Sequence, residues 1–328
     1  MRKGLVFGKF MPLHKGHLAL IHFALKNCDH LAIILCYTNK EPISGTKRSE
    51  WIKTSLENIN NITIVPFEYD ELLLPNTSVS SRNVSKLWAA AFKELAPATD
   101  IIFTSEPYGE YVAEYMGIQH RLFDQEKKVV PISASQLRQQ PFKYWDFLPS
   151  AVQPWFVKKI CLIGTESTGK STLTVKLASH FNTNYVPEMG REIVGVTDNC
   201  TYEDLLRIAS LHAKKILDKL PGANKLLFVD TDVNITASYS EFLFNKKLKT
   251  EEWIEDANHF DLYLFLEPDC EHVQDGTRLS VEERNKLSEH HKKFFQSKEI
   301  SFISIGGNWE NRFIEACKII EETFTPLS

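Results

Sequence analysis

Gly164-Thr-Glu-Ser-Thr-Gly-Lys-Ser171 constrains this 328-residue chain more than any other stretch. It separates a short apolar run, Lys159–Ile163, from the helical pattern Lys170–Phe181, so a strand must pass into a helix through a tight turn. Glycine at each end lets backbone N–H groups curl inward, and the helix N-terminus behind them favours negative charge. Every fixed position of G-x-x-x-x-G-K-[S/T] is filled, in the context that makes the pattern specific for a triphosphate. Thr165, Glu166, Ser167 and Thr168 then form the cradle between Gly164 and Gly169. Lys170 reaches the β- and γ-phosphates, Ser171 holds Mg²⁺, and Thr172 continues the site. ATP and Mg²⁺ are the expected cofactors.

The same alternation runs through the whole chain. Leu5–Phe7, Leu31–Tyr37, Ile62–Phe67 and Ile101–Thr104 are strand-like, with helical patterns at Gly16–Asn27, Lys47–Ile59 and Ser81–Leu95. Beyond the loop, Leu226–Asp230, Leu262–Leu266 and Ile300–Ile305 read as strands and Tyr202–Leu220 as a helix. Strands alternating with helices predict α/β architecture, with parallel sheets covered on both faces. Pro141, Pro149 and Pro154 punctuate an aromatic stretch between the halves, which predicts a packed connector. The expected division is a domain over 1–145, a connector over 146–157 and a second domain over 158–328.

Lys and Arg number 38 against 42 Asp and Glu, a net charge of −4, which argues against a protein that grips nucleic acid. Six scattered cysteines without a CxxC pair form neither a disulfide framework nor a zinc site. Apolar runs fall short of the roughly 20 residues of a membrane span. A soluble cytoplasmic protein is expected, without membrane or nucleic-acid partners, and homo-oligomerisation is left open.

In the second half, Asp230 closes a strand beside the phosphate loop, where a carboxylate can hold the Mg²⁺ shell. Asp232 follows as a candidate base or acceptor contact, with the start of the next helix as its plain alternative. Glu188 and Arg191, in Val186-Pro-Glu-Met-Gly-Arg191, stand where small kinases contact their acceptor, or form a surface pair. Arg278 fits a lid that neutralises a transferring phosphoryl group. His272, His290 and His291 have no metal spacing and are expected at the surface.

In the first half, Gly8-Lys-Phe10-Met-Pro-Leu-His14-Lys-Gly16-His17 joins the first strand to an apolar-striped helix. Three residues apart, His14 and His17 stand side by side at that helix start, where they can donate to a phosphate chain, with imidazolium favoured by the anion. Gly8 and Gly16 leave room for a nucleotide. Ile132-Ser133-Ala-Ser135-Gln-Leu-Arg138 places hydroxyls at a second helix start with an arginine a turn later, an anion clamp or simply a capped helix.

These two strings resemble the HxGH and ISxTxxR signatures of the nucleotidylyltransferases, whose fold is a Rossmann-like parallel sheet. Followed by a P-loop kinase, they resemble the NadR-type family of bifunctional nicotinamide-mononucleotide adenylyltransferases/ribosylnicotinamide kinases over nearly the whole chain. Val186-Pro-Glu-Met-Gly-Arg-Glu192 and Gly306-Gly-Asn-Trp-Glu-Asn-Arg312-Phe313 extend the likeness. Some members begin with a helix-turn-helix repressor domain. Here the first strand starts at once, so a DNA-binding role is not expected.

The resemblance implies two ATP-dependent reactions: phosphorylation of ribosylnicotinamide to its mononucleotide (NMN), and joining of NMN to AMP to give NAD and pyrophosphate. It casts His14, His17 and Arg138 as charge-stabilising groups, and Phe10, Lys47, Arg48, Ser133 and Ser135 as ATP contacts, with a solvated helix start as the alternative for Lys47 and Arg48. Asn83 and Trp88 become substrate contacts, Trp88 by stacking on the nicotinamide ring, unless it belongs to the core. A coenzyme A synthase-like fusion is the nearest rival. Its adenylyltransferase carries threonine where this chain has His14. A non-catalytic NAD- and ATP-sensing regulator is another, although neither phosphate motif has lost a residue.

Overall fold

The computed structural model describes residues 1–75, 81–193, 200–270 and 280–324, the side chains of residues 191 and 192 excepted. The chain divides into two compact units, Met1–Val152 and Gln153–Ser328. The break falls inside the expected connector. Phe142, Trp145, Leu148 and Val152 are buried within the first unit, and the Phe142 and Trp145 rings meet edge to face at 6.0 Å.

In the first unit the elements run β1 (Lys3–Gly8), α1 (Lys15–Leu25), β2 (His30–Tyr37), α2 (Gly45–Ser55), β3 (Ile62–Glu68) and α3 (Arg82–Leu95). They continue as β4 (Ile101–Thr104), α4 (Tyr108–Met116), β5 (Gln119–Leu122) and α5 (Ala134–Gln139). All strands pair in parallel, in the order β3-β2-β1-β4-β5. The order reverses at β1, so the crevice beyond the carboxyl ends of β1 and β4 is the natural ligand site of such a sheet. Leu5, Leu31, Ile33, Ile34, Leu35, Ile101, Ile102 and Phe103 are fully buried. Each contributes about 1.5–3 kcal/mol of apolar burial. The polar edge strand β5 was not anticipated.

The second unit begins with a single turn, α6 (Gln153–Phe156), followed by β6 (Lys158–Ile163), α7 (Lys170–His180), β7 (Tyr185–Val186), α8 (Gly190–Ile193) and α9 (Tyr202–Lys219). Then come β8 (Leu226–Asp230), α10 (Val233–Phe244), α11 (Glu252–Ala257), β9 (Leu262–Leu266), α12 (Val281–Ser297), β10 (Ile303–Ile305) and α13 (Trp309–Phe324). This sheet is also all parallel, in the order β10-β9-β6-β8-β7. β6 is central, and Leu162 lies opposite Asp230. The last strand is shorter than expected, because only Ile303–Ile305 pairs with β9. Among the described residues, no helix is long and apolar enough to cross a membrane.

Candidate active sites

In the second unit, the turn from β6 to α7 has the form its sequence predicts. Gly164 and Gly169 adopt φ of 134° and 82°, and a Cβ on Gly169 would come within 2.0 Å of the Trp309 ring. Only glycine serves at residue 169. Lys170 Nζ donates to the Thr165 carbonyl at 2.8 Å, and Thr168 Oγ1 donates to the same oxygen at 2.8 Å. The lysine is buried and folded back on its own loop. Ser171 and Thr172 are exposed at the helix start.

The loop is also held from the far end of the chain. Arg312 of α13 is fully buried, and its guanidinium donates to the carbonyls of Thr168 (2.9 Å), Gly307 (2.8 Å) and Glu267 (2.9 Å) and to the Asp269 carboxylate. Neither Arg312 nor Trp309 was a sequence candidate. The available signal was spacing: Arg312, Ala316 and Ile320 form one helical stripe, and an arginine on an apolar stripe needs a full set of partners.

Asp230 ends β8 beside this loop and is buried, with Oδ2 lacking a hydrogen-bond partner. Burial raises its pKa. Lys170 opposes that shift, Glu188 adds to it, and the adjacent Ser171 hydroxyl opposes it. A buried carboxylate oxygen without a proton donor, next to a serine hydroxyl, is a donor set that suits a hard cation such as Mg²⁺.

Asp232 has another task. It caps α10, accepting from Ile235 N–H at 2.9 Å, Asn234 Nδ2 at 2.7 Å and the Tyr263 hydroxyl at 3.0 Å. With both oxygens accepting hydrogen bonds and its side chain buried, it has the geometry of the helix start that was its plain alternative. In sequence, an Asp two residues past a strand and an N-cap Asp look alike.

Glu188 is half-buried, and its charge acts on Asp230 and on the Tyr239 phenol. Arg191 starts the short α8, with its side chain outside the described set, and Arg278 and His272 also lie outside the described residues. His291 is not at the surface. It is fully buried between α12 and α10, with Nδ1 2.8 Å from Ser238 Oγ. Leu287, Phe294 and Phe295 share its face of α12, so the helical stripe carries it inward. His290 is half-buried, with a buried Nε2.

In the first unit, His14 is the N-cap of α1. Its Nδ1 accepts from Gly16 N–H at 3.1 Å and His17 N–H at 3.3 Å, so the ring carries its proton on Nε2. A Cβ on Gly16 would stand 2.9 Å from that Nδ1, which is why the residue between the histidines has no side chain. The two imidazoles stack with centroids 3.6 Å apart, and Phe10 meets His17 edge to face at 5.0 Å. Burial, with help from the Lys127 charge, pushes His14 down to about 3. Burial, His14 and Lys127 hold His17 well below its ordinary value. Both rings are therefore neutral, not imidazolium, before any anion acts on them.

Arg138 of α5 donates to the Met11 carbonyl and, at 3.1 Å, to Ser135 Oγ, tying the second motif to the loop of the first. Ser133 forms a capping box with Gln136, so its hydroxyl serves the helix. Lys47 pairs with Glu50 at 2.8 Å. Arg48 is fully buried, donating to Lys9 O at 2.8 Å, Glu41 Oε2 at 2.6 Å and Ser44 O at 3.3 Å. It shapes the β1–α1 loop from behind instead of facing a phosphate. Its burial with Trp51 and Ile52, three and four residues on, was the overlooked cue.

Beside Gly8 lies a cavity of about 130 Å³, lined among others by Phe7, Lys9, Tyr69, Trp88 and Tyr108. Trp88 packs on Tyr69 (4.9 Å) and Phe92 (5.5 Å), and its indole N–H donates to Pro75 O at 3.1 Å. It belongs to the core and to the cavity wall at once. Asn83 is exposed and does not line the cavity.

The buried imidazoles predict acid sensitivity. His14 and His291 are pushed down to about 3 and His212 to about 4, all by burial, against about 6.5 when unfolded. Between those values the unfolded chain binds more protons, so stability is complete above pH ~6.5 and falls as pH drops toward the folded pKa values, by about 1.4 kcal/mol per pH unit for each group. Asp230 and Asp232, raised by burial, act in the opposite sense, but four histidines including His17 outweigh two aspartates. Urea midpoints should drop between pH 7 and pH 5, and an unchanged or higher midpoint at pH 5 would contradict the burial of these rings.

Two parallel sheets, one carrying a paired-histidine turn and the other a phosphate loop, define a nucleotidylyltransferase-type unit joined to a P-loop kinase unit. Residues 159–312 match the AAA domain family, and residues 5–140 the citrate lyase ligase C-terminal domain family. The trifunctional NAD biosynthesis/regulator protein NadR of Escherichia coli (strain K12) is 31% identical over 344 residues, covering 97% of this chain and 82% of that protein. Its counterpart from Salmonella typhimurium matches equally, at 31% over the same coverage. A crystal structure of NadR protein in complex with NR superposes with a TM-score of 0.79 at 20% identity, over 99% of this chain and 96% of that one. The chain belongs to the NadR family.

Proposed function

We propose that this protein is a bifunctional NAD salvage enzyme. It phosphorylates ribosylnicotinamide with ATP to give NMN, then adenylylates NMN with a second ATP to give NAD and pyrophosphate. The observation that carries this reading is the presence of two intact phosphate-binding turns, each following the central strand of its own sheet, in a chain alike to NadR along 97% of its length. Incubation with ribosylnicotinamide and MgATP, with chromatographic separation of NMN and NAD, tests it. Turnover of phosphopantetheine but not of the riboside would overturn it in favour of a coenzyme A synthase.

In the kinase unit, the residue 164–171 loop surrounds the triphosphate with N–H donors, and Lys170 swings from the Thr165 carbonyl to the phosphoryl oxygens. Ser171 and Asp230 would hold Mg²⁺, which neutralises phosphate charge when bound. The riboside 5′-hydroxyl attacks the γ-phosphorus as the bond to the bridging oxygen of the β-phosphate breaks; ADP leaves with that electron pair, and the hydroxyl proton passes to solvent, with Glu188 on the acceptor side. The transition state of such transfers is loose, so alignment matters more than a strong base, which fits the commitment of Asp232 to capping.

In the adenylyltransferase unit no covalent enzyme intermediate is needed. The NMN phosphate attacks the ATP α-phosphorus directly, and His14 Nε2–H, His17 and Arg138 stabilise the charge that develops. Phe10 holds the histidine pair in place by packing on His17.

Trp88 offers its ring to the nicotinamide. That ring is cationic in NMN, and an indole face attracts a cation by about 0.5–2 kcal/mol. Trp88→Ala should raise the NMN KM several-fold and the ATP KM less. A folded variant with an unchanged NMN KM would remove Trp88 from the site.

A further inference from the structure

Between β5 and α5 the chain makes a turn that belongs to neither motif. The Asp124 carboxylate accepts from Lys128 N–H at 2.7 Å, Val129 N–H at 3.0 Å and Val130 N–H at 3.1 Å, while its carbonyl accepts from Lys127 N–H at 2.9 Å. Asp124 and Lys127 both adopt left-handed φ, 46° and 52°. Such a tightly closed turn is built to present what lies at its tip.

Both flanks fix the turn beside the histidines. Upstream, β5 pairs in register with β4. Downstream, buried Ile132 lies 3.8 Å from where a Gly16 Cβ would stand, and Arg138 binds the Met11 carbonyl. Lys127 is exposed, and among the described residues its ammonium has neither an ion-pair nor a hydrogen-bond partner, whereas Lys128 pairs with Glu126. Its charge is felt by both imidazoles.

The chemistry gives such a cation a use. As the NMN phosphate oxygen bonds to the α-phosphorus, the bond from that phosphorus to the bridging oxygen of the β-phosphate breaks. The electron pair stays on that oxygen, and pyrophosphate departs with the added negative charge. His14 and His17 are neutral donors, so of these three only Arg138, which also holds the Met11 carbonyl, brings a positive charge. We propose that Lys127 is a catalytic residue of the NAD-forming site, binding the β- and γ-phosphates of ATP and the pyrophosphate they become. The assignment rests on the functional reading above.

Full-length Lys127→Gln, Lys127→Arg and Lys128→Gln test it in both directions: NAD synthesis, and pyrophosphorolysis of NAD to ATP and NMN. For Lys127→Gln, kcat/KM for MgATP should fall and the pyrophosphate KM should rise by about tenfold, less than the 10²–10³ of an enclosed donor because Lys127 is exposed. The NMN KM and riboside phosphorylation should hold within about twofold. Arginine should restore most of the loss, and Lys128→Gln should behave as wild type. An unmoved pyrophosphate KM in Lys127→Gln, or an equal loss in Lys128→Gln, overturns the role of Lys127 while wild-type NAD synthesis keeps the functional reading intact. A wild-type chain that makes no NAD overturns that reading, and this role with it.

Discussion

Lys170→Ala is expected to lower riboside phosphorylation by about 100-fold or more, roughly 3 kcal/mol of barrier, and to leave NAD formation from NMN near wild type. In the proposed reaction Lys170 is the side chain that meets the transferring phosphoryl group, and its ammonium is already buried within the cradle, 2.8 Å from the Thr165 carbonyl. In that partly dry setting a charge acts strongly on the phosphates. The variant should fold, because the hydrogen bond it loses is to a carbonyl that still accepts from Thr168 Oγ1. Steady-state rates for both half-reactions decide the matter. Wild-type kinase turnover in the variant would mean that the loop is not catalytic.

His17→Ala should give the mirror image: NAD formation down by about 100-fold, the scale of losing one preorganised donor, with phosphorylation of the riboside unaffected. His17 is the better choice than His14. Removing His14 also strips the cap from α1, a loss of about 1 kcal/mol that would blur the interpretation. The His17 backbone N–H keeps its bond to His14 Nδ1 whatever the side chain, so the helix start should survive. Equal loss of both activities, with the circular dichroism of the wild type, would contradict two independent sites.

The two substitutions are expected to separate because each motif follows a strand of its own sheet, and that much could be read from the residues. Both phosphate turns are short strings whose glycines and charged groups have one reason to occur together. The parallel sheets followed from strands such as Leu226–Asp230, buried along their whole length. What escaped were polar residues on apolar helical stripes: Arg48 with Trp51 and Ile52, His291 with Phe294 and Phe295, and Arg312 with Ala316 and Ile320. Residue type points Arg48 to a phosphate and His291 to solvent and gives Arg312 no role, while the spacing of all three points inward. The edge strand Gln119–Leu122 was missed for the converse reason. With at most one side free to pair, it needs no apolar run, and Gln-His-Arg-Leu carries none.

The bond from Arg312 to the Thr168 carbonyl spans 144 positions. The histidine turn, by contrast, is tied by Arg138 within the first unit. Chains emerge from the ribosome N-terminus first, and domains generally fold as units in that order. The adenylyltransferase half can therefore close its site while the kinase half is still being made. The phosphate loop, although encoded in the middle of the chain, lacks its guanidinium anchor until α13 has been synthesised. The order in which the two sites become complete during translation is thus opposite to the order in which the salvage reactions use them.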